Sequence, residues 1–203
     1  MGRGSGIQTN QAGATTERNE RVPLKVTSEN QSGRTRKEGQ GQLVIVFGIP
    51  GSGKSTYIKT LENVRVVSAD AIRKEIFSSL RDAHGEGLSE EKKFEQTKRN
   101  NQKVFGIFNR RITEALSEGK TVVADATNLH PGTRKGLRRL ARQQDALMEI
   151  AVFKNYSRAF HWNKQRDPDA VVPDAAMSSM LKAYKGSLDR LKNENYDIIT
   201  TIE

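Results

Sequence analysis

From residue 42 onward, short continuous apolar runs alternate along the chain with segments whose apolar residues recur every three or four positions. The first pattern is typical of buried parallel strands, and the second is typical of helices packed on them. The apolar runs predict strands at 43–47, 64–68, 121–124, 147–153 and 196–202. The intervening segments predict helices at 56–62, 71–77, 89–118, 133–143, 156–165 and 173–188. This alternation predicts a doubly wound, parallel α/β sheet.

The longest predicted helix, 89–118, has apolar residues on one face, and we expect this face to pack on the sheet. Its apolar positions are Phe94, Val104, Phe108, Ile112 and Ala115. Gly119 favours an end to the helix at that point. The preceding polar residues 78–88 contain two glycines and predict a loop.

Residues 1–41 differ from the rest of the chain because no helical or strand period runs through them. Only seven of these residues are apolar and seven are glycine, so we expect a disordered tail and place the domain boundary at residue 42. The segment has seven basic and four acidic residues. Its positive charge is consistent either with contacts to nucleic acid or with a linker that improves solubility.

Composition narrows the class of protein. The chain has no cysteine, which excludes disulfides, thiolate metal sites and thiol catalysis. No segment is apolar enough to predict a membrane span or a secretory signal, so a cytoplasmic protein without membrane contact is expected. The net charge of +10 favours a polyanionic partner.

A glycine-rich segment between the first predicted strand and helix matches the pattern G-x-x-x-x-G-K-S/T of nucleotide-binding loops. The glycines permit a sharp turn whose N–H groups surround a phosphate. We expect Lys54 to reach the β- and γ-phosphates of ATP and Ser55 to bind the accompanying Mg²⁺. The predicted ATP-binding residues in this loop are Gly48, Pro50, Gly51, Ser52, Gly53, Lys54, Ser55 and Thr56.

Further polar groups follow the next two predicted strands. Asp70 comes after the second strand, and Asp125 comes after the third, followed by Thr127 and Asn128. Ligands of open α/β sheets bind beyond the carboxyl ends of the strands, so these groups should converge on one crevice with the phosphate-binding loop. Thr127 and Asn128 are therefore candidates for contacting the acceptor substrate.

Each of the two aspartates has two interpretations. Asp70 can accept the proton of an attacking hydroxyl while Arg73, three residues later, holds a phosphate of the acceptor. Alternatively, Asp70 is only the N-cap of a helix. Asp125 can hold Mg²⁺ through water, with Ser55 as the other ligand, or orient a lid; alternatively, it only caps the loop that follows it.

Two basic clusters occur in the second half of the chain. Arg134, Arg138 and Arg142 recur every four residues and share a helix face. Such a face is either solvated or in contact with the phosphates of a nucleic acid, so Arg134 and Arg138 are candidate substrate contacts. Arg166 precedes a turn-like break at 167–169, where a P-loop kinase would have a lid that neutralises charge on the transferring phosphoryl group.

Four motifs together resemble the kinase domain of phage-type polynucleotide 5′-hydroxyl kinases over roughly 42–200. They are the loop at 48–56, Asp70-x-x-Arg73, Asp125-Ala-Thr-Asn128 with Pro131, and Asn163-x-x-Arg166 ahead of Val172-Pro173. The resemblance implies that Lys54 and Ser55 bind ATP and magnesium and that Asp70 is the general base. It also implies that Arg73 contacts the acceptor phosphate and that Arg166 belongs to the lid.

The expected activity is therefore ATP-dependent transfer of a phosphoryl group to the 5′-hydroxyl of RNA or DNA. Two other activities fit the same loop. One is a P-loop kinase of a small metabolite or sugar nucleotide, similar to zeta-toxin-like kinases. The other is a nucleic-acid-binding protein gated by a nucleotide, in which Asp70 is only structural. The fold by itself does not select the acceptor.

Overall fold

A sheet of six strands lies at the centre of the computed structural model, which describes residues 24–77 and 87–203. The strands are β1 (Val26–Asn30), β2 (Gln42–Phe47), β3 (Val64–Ser68), β4 (Thr121–Asp125), β5 (Leu147–Phe153) and β6 (Ile198–Ile202). Their order in the sheet is β1-β6-β5-β2-β4-β3. The five strands from β2 to β6 are parallel, as the apolar runs predicted, and β1 adds an antiparallel edge.

Helices connect the strands and cover both faces of the sheet. The described helices are α1 (Lys54–Ile58), α2 (Ala69–Ile76), α3 (Glu90–Ser117), α4 (Pro131–Gln143), α5 (Tyr156–Lys164) and α6 (Asp174–Leu188). Side chains of α2 to α6 pack on one face of the sheet, and those of α1 pack on the other. The predicted doubly wound α/β fold is confirmed. Most of the predicted loop at 78–88 lies outside the described residues.

The domain begins earlier than the sequence predicted. Val26 to Asn30, assigned to the disordered tail, pair with β6 through the register Val26↔Ile202 to Asn30↔Ile198. The five residues of β1 show no apolar period, and all of them are exposed. Backbone hydrogen bonds to β6, which is distant in the chain, hold the strand in place of a buried apolar face. The boundary at 42 is therefore wrong for residues 24–41, whereas residues 1–23 lie outside the described residues.

Two arginines anchor the segment after β1. Arg34 pairs with Asp145 at 3.1 Å and with the buried Asp197 at 3.4 Å. The Arg36 guanidinium donates to the carbonyl of Gly119 at 2.8 Å. The segment is thus tied to the same sheet edge at which the parallel strands begin.

Deletion of residues 1–41 is expected to lower the melting temperature by about 5 °C or more relative to deletion of 1–23, because the longer deletion removes β1 and both arginine anchors. Differential scanning calorimetry of the two truncated proteins measures the difference. Equal melting temperatures would show that residues 24–41 add no stability to the domain.

Helix α3 extends well beyond the sheet. Its 28 residues span about 42 Å, whereas the strands, with five to seven residues, span about 16–23 Å. The C-terminal end of α3 lies at the edge where the strands begin, because the Gln42 amide donates to the Lys120 carbonyl. The N-terminal turns therefore project past the opposite edge, where the strands end.

One predicted core residue lies on this projecting part. Val104, Phe108, Ile112 and Ala115 of α3 are buried as predicted, but Phe94 is 67% exposed. Its position on the helix wheel is that of a core residue, yet the sheet has ended before the helix reaches it. Its assignment to the core is therefore wrong.

Candidate functional site

The predicted phosphate-binding loop connects β2 to α1. Gly51 and Gly53 adopt positive φ angles of 77° and 93°, a conformation that L side chains rarely adopt. A Cβ atom at Gly51 would lie 2.2 Å from the carbonyl oxygen of Ala159 in α5. Glycine at 51 is therefore required both by the backbone conformation and by the close approach of α5 to the loop.

Lys54 lies where the charged groups of the site meet. Its Nζ donates to the carbonyls of Gly48 at 3.1 Å and Ile49 at 2.7 Å. Burial lowers the pKa of the Lys54 ammonium group to about 8, while Asp125 and Asp70 act to raise it and Arg166 acts to lower it. These influences are consistent with the predicted convergence on one crevice.

Asp70 is the second residue of α2. The cap of α2 is Ser68, whose hydroxyl accepts from the amide of Ala71 at 3.4 Å. The interpretation of Asp70 as only an N-cap is therefore excluded. Its carboxylate is about half exposed and lies 2.8 Å from the Arg73 guanidinium and 3.9 Å from that of Arg166.

Arg73 is held between the two helices that border the crevice. One nitrogen contacts Asp70, the other donates to Asn101 Oδ1 of α3 at 3.0 Å, and the guanidinium lies over the ring of Phe105. Its side chain is largely buried. Arg73 therefore fixes the position of the Asp70 carboxylate, and no sequence pattern indicated its two partners on α3.

Asp125 ends β4 directly beside the last residue of β3, Ser68. Burial raises the pKa of the Asp125 carboxyl, and this effect is opposed by a hydrogen bond from Ser68 and by the charge of Lys54. The hydroxyl of Ser68 was not predicted as a site residue. Its position before a helix that has Asp70 in the first turn is a sequence signal for an N-cap.

The donor chemistry of this crevice fits a nucleotide with Mg²⁺. Ser55 and Asp125 offer the oxygen ligands that Mg²⁺ prefers, and Mg²⁺ bound with a nucleotide needs few protein ligands because phosphates complete its shell. Within residues 24–77 and 87–203, no group of three or more His, Cys, Asp or Glu side chains forms a self-sufficient metal site. The buried Ser52 hydroxyl, without a partner among the described residues, is a further polar group in the loop.

The segment with Arg166 is pinned at its base. Asn163 Nδ2 donates to the carbonyl of Val172 at 2.7 Å, and the Val172 amide donates back to Asn163 Oδ1 at 3.1 Å. This reciprocal pair closes the loop that contains Arg166 and the short 3-10 turn Pro168–Ala170. The geometry is consistent with a lid hinged on α5.

Asn128 is buried in the loop that follows β4. Its Nδ2 donates to the carbonyls of Val46, Ala124 and Ala126 at 2.8, 3.0 and 3.2 Å, and the residue is buried. The prediction that Asn128 binds substrate is wrong, because its amide group ties the loop after β4 to β2. Thr127 is half-buried, and its carbonyl accepts from the Gly48 amide.

Arg134 and Arg138 of α4 bind the chain near Glu194 instead of a nucleic acid. Arg134 is fully buried and forms two hydrogen bonds to the Glu194 carboxylate at 2.6 and 3.0 Å. Arg138 donates to the Glu194 carbonyl and lies over the Tyr196 ring. The assignments of Arg134 and Arg138 to substrate binding are wrong. The four-residue period showed that the arginines share a face, but the part of this face with Arg134 and Arg138 is turned towards Glu194, whereas Arg142 is exposed.

Replacement of Arg134 by methionine is expected to lower the free energy of unfolding by about 3–5 kcal/mol, because Glu194 would keep a largely buried charge without its main partner. Arg139→Gln is the matched control, since Arg139 is exposed on the same helix. Urea unfolding measures the free energy of unfolding of both variants. If the two variants have the same midpoint, the buried pair does not hold α4 in place.

Nucleotide binding at pH 8 is expected to take up protons. With a pKa of about 8, roughly half of the Lys54 side chains are neutral before binding, and the negative charge of the phosphates favours the ammonium form. Up to about half a proton should therefore be taken up per nucleotide. Calorimetric titration in two buffers of different ionisation enthalpy measures this uptake, and Lys54→Arg, which stays charged, should abolish it.

The fold and the loop define the class of the protein as a P-loop nucleotide-binding domain. Residues 43–191 match the family model described as an AAA domain. Because the match covers most of the chain, the protein belongs to this family. Of the helices in the part of the chain that the structure describes, none is long and apolar enough to cross a membrane.

Known proteins confirm the resemblance to polynucleotide kinases. The chain is 27% identical over 128 residues to a protein of Autographa californica nuclear polyhedrosis virus described as a bifunctional polynucleotide kinase/RNA ligase. That match covers 58% of this chain but 18% of the viral protein, so the chain spans less than a fifth of its curated relative.

Solved structures share the fold. A chain of the Pnkp1/Rnl/Hen1 RNA repair complex has a TM-score of 0.57 and 19% identity, with 83% of this chain and 50% of that one covered. A chain of the PezAT toxin-antitoxin system of Streptococcus pneumoniae has a TM-score of 0.51 and 17% identity, with 84% and 69% covered. The fold therefore occurs in proteins of different functions.

Proposed function

We propose that the protein is an ATP-dependent kinase that transfers the γ-phosphoryl group to the 5′-hydroxyl of RNA or DNA. The observation that carries the proposal is the meeting of two carboxylates, Asp70 and Asp125, with Lys54 and Arg166 beside a phosphate-binding loop. The viral relative described as a polynucleotide kinase and the net charge of +10 support a nucleic acid as the acceptor.

The reaction needs positioning and charge stabilisation rather than covalent catalysis. The 5′-oxygen of the acceptor attacks the γ-phosphorus, the bond from this phosphorus to the bridging oxygen of ADP breaks, and Asp70 accepts the hydroxyl proton. Arg73 orients the Asp70 carboxylate through their 2.8 Å contact. In this proposal, Arg73 also contacts a phosphate of the acceptor.

Cations stabilise the charge that develops on the transferring group. Lys54, which bonds the loop carbonyls of Gly48 and Ile49, would turn to the β- and γ-phosphates. Arg166 would approach them from the lid. Ser55 and Asp125 would hold Mg²⁺, which neutralises phosphate charge when bound. Thr127 remains a proposed acceptor contact at the mouth of the crevice.

A panel of acceptors with γ-labelled ATP and Mg²⁺ tests the proposal. It includes 5′-hydroxyl oligonucleotides of RNA and DNA, nucleosides, amino sugars and small hydroxyl metabolites, with a Lys54→Ala preparation as the blank for contaminating kinases. We expect label at the 5′ ends of the oligonucleotides. Label on a small molecule alone would favour a metabolite or sugar-nucleotide kinase, and oligonucleotide binding without any label would favour a nucleotide-gated binding protein.

A further inference from the structure

The exposed ring of Phe94 lies on the overhanging part of α3. Phe94 shares a helix face with the buried Val104 and Phe108, but it precedes Val104 by ten residues, or about 15 Å along the helix axis. Asn101 and Phe105 on this side of α3 contact Arg73 of the crevice, and the turns with Phe94 continue the same side beyond the end of the sheet. A two-thirds exposed phenylalanine at this place lacks a packing role in the core.

The same helix face leads from Phe94 to the reacting groups. Positions 94, 98, 101 and 105 differ by four, three and four residues and are therefore aligned on one side of α3. Asn101 and Phe105 hold Arg73, which in turn contacts Asp70. Phe94 thus lies about 10 Å along α3 from the residue that binds Arg73.

The charge of this part of α3 favours a polyanion. Between residues 90 and 103 the helix has five basic residues and three acidic ones, and all three acidic residues precede residue 96. Lys98, between Phe94 and Asn101 on the aligned face, is exposed. An exposed aromatic ring beside a cation is the combination with which proteins bind single-stranded nucleic acid, because bases stack on the ring and the cation contacts the backbone.

We propose that Phe94 is a stacking platform for a base of the acceptor strand and that Lys98 contacts a phosphate next to it. This inference rests on the proposed function and extends it from the reacting 5′ end to the strand behind it. The distance of about 10 Å along α3 from Phe94 to Asn101, which binds Arg73, corresponds to about three nucleotides of stacked strand at ~3.4 Å each, and to fewer in an extended strand. Stacking tolerates any base, so the platform selects for strand length rather than for sequence.

Phe94→Ala tests the platform in steady-state kinetics with two acceptors, a 5′-hydroxyl hexanucleotide and a nucleoside 3′-phosphate. For the hexanucleotide we expect KM to rise about 5- to 100-fold with unchanged kcat, because stacking contributes to binding and not to the chemical step. For the nucleoside 3′-phosphate, which has no further nucleotide to extend from Arg73 to Phe94, no change is expected. Phe94→Tyr should restore the KM, and Val26→Ala, at another exposed apolar residue on β1, should leave it unchanged.

Hexanucleotides that lack one base at a time identify the stacked nucleotide. In the wild type, removal of one base among positions two to five should raise KM, and in Phe94→Ala the same removal should add nothing.

Lys98→Gln should flatten the dependence of log affinity on log salt by about 0.7, whereas Lys37→Gln, at the far edge of the sheet, should not. Equal effects of Phe94→Ala on both acceptors, or no effect on the hexanucleotide, would overturn the platform. If the wild type phosphorylates neither acceptor, the proposed function fails as well.

Discussion

Replacement of Lys54 by alanine is expected to lower kcat by at least about 10³-fold. Loss of a single neutral donor to developing charge lowers kcat by about 10²–10³, and Lys54 contributes a full positive charge in a buried crevice. The substitution removes no core contact, since Lys54 bonds loop carbonyls through its terminal nitrogen. The fold should therefore be retained.

The experiment compares three proteins in single-turnover assays with ATP, Mg²⁺ and a 5′-hydroxyl oligonucleotide. Lys59→Ala is the matched control, because Lys59 is an exposed lysine immediately after α1. Lys54→Arg keeps the positive charge but replaces the compact ammonium group with a planar guanidinium, so it should recover little activity. Near-normal turnover of Lys54→Ala, with an unchanged melting temperature, would contradict the assignment of the chain as a kinase.

Asp70→Asn is expected to lower kcat by about 10²–10⁴ with little change in ATP affinity, because the amide cannot accept the hydroxyl proton. The substitution is nearly isosteric, and Ser68 still caps α2. Loss of helix capping therefore cannot account for a fall in kcat. Rapid quench measurement of the chemical step gives the rate directly.

Glu75→Gln is a close control for Asp70→Asn. Glu75 lies on the same helix and pairs with Arg111 of α3 through two bonds of 2.6 and 2.8 Å, so both variants remove a carboxylate that links α2 to an arginine. Both variants should lose little stability, because in each pair the carboxylate is about half exposed to solvent. Only Asp70→Asn should lose activity. If both variants keep normal kcat, the carboxylate of Asp70 is not the general base.

The sequence alone determined the parallel strands and the phosphate-binding loop. The strand predicted at 147–153 has the observed bounds of β5, because an apolar run interrupted by Glu149 is buried on both faces of the sheet. The meeting of Asp70 and Asp125 followed from topology, since adjacent parallel strands deliver their carboxyl ends to one edge. The strands and the loop are predicted by residues that are neighbours in the chain, and the meeting of the two aspartates follows from the parallel arrangement of those strands.

Only the tertiary structure decided how four features are used. β1 is exposed along its length and forms because β6 offers a free backbone edge. Arg134 and Arg138 of α4 point inwards because Glu194, 60 residues from Arg134, lies opposite them. Phe94 fits the apolar period of the core residues of α3, but it lies beyond the end of the sheet and is exposed. The side-chain amide of Asn128 donates to backbone carbonyls of β2 and β4. A local pattern establishes which residues share a face, whereas the element opposite that face is set by contacts between distant parts of the chain.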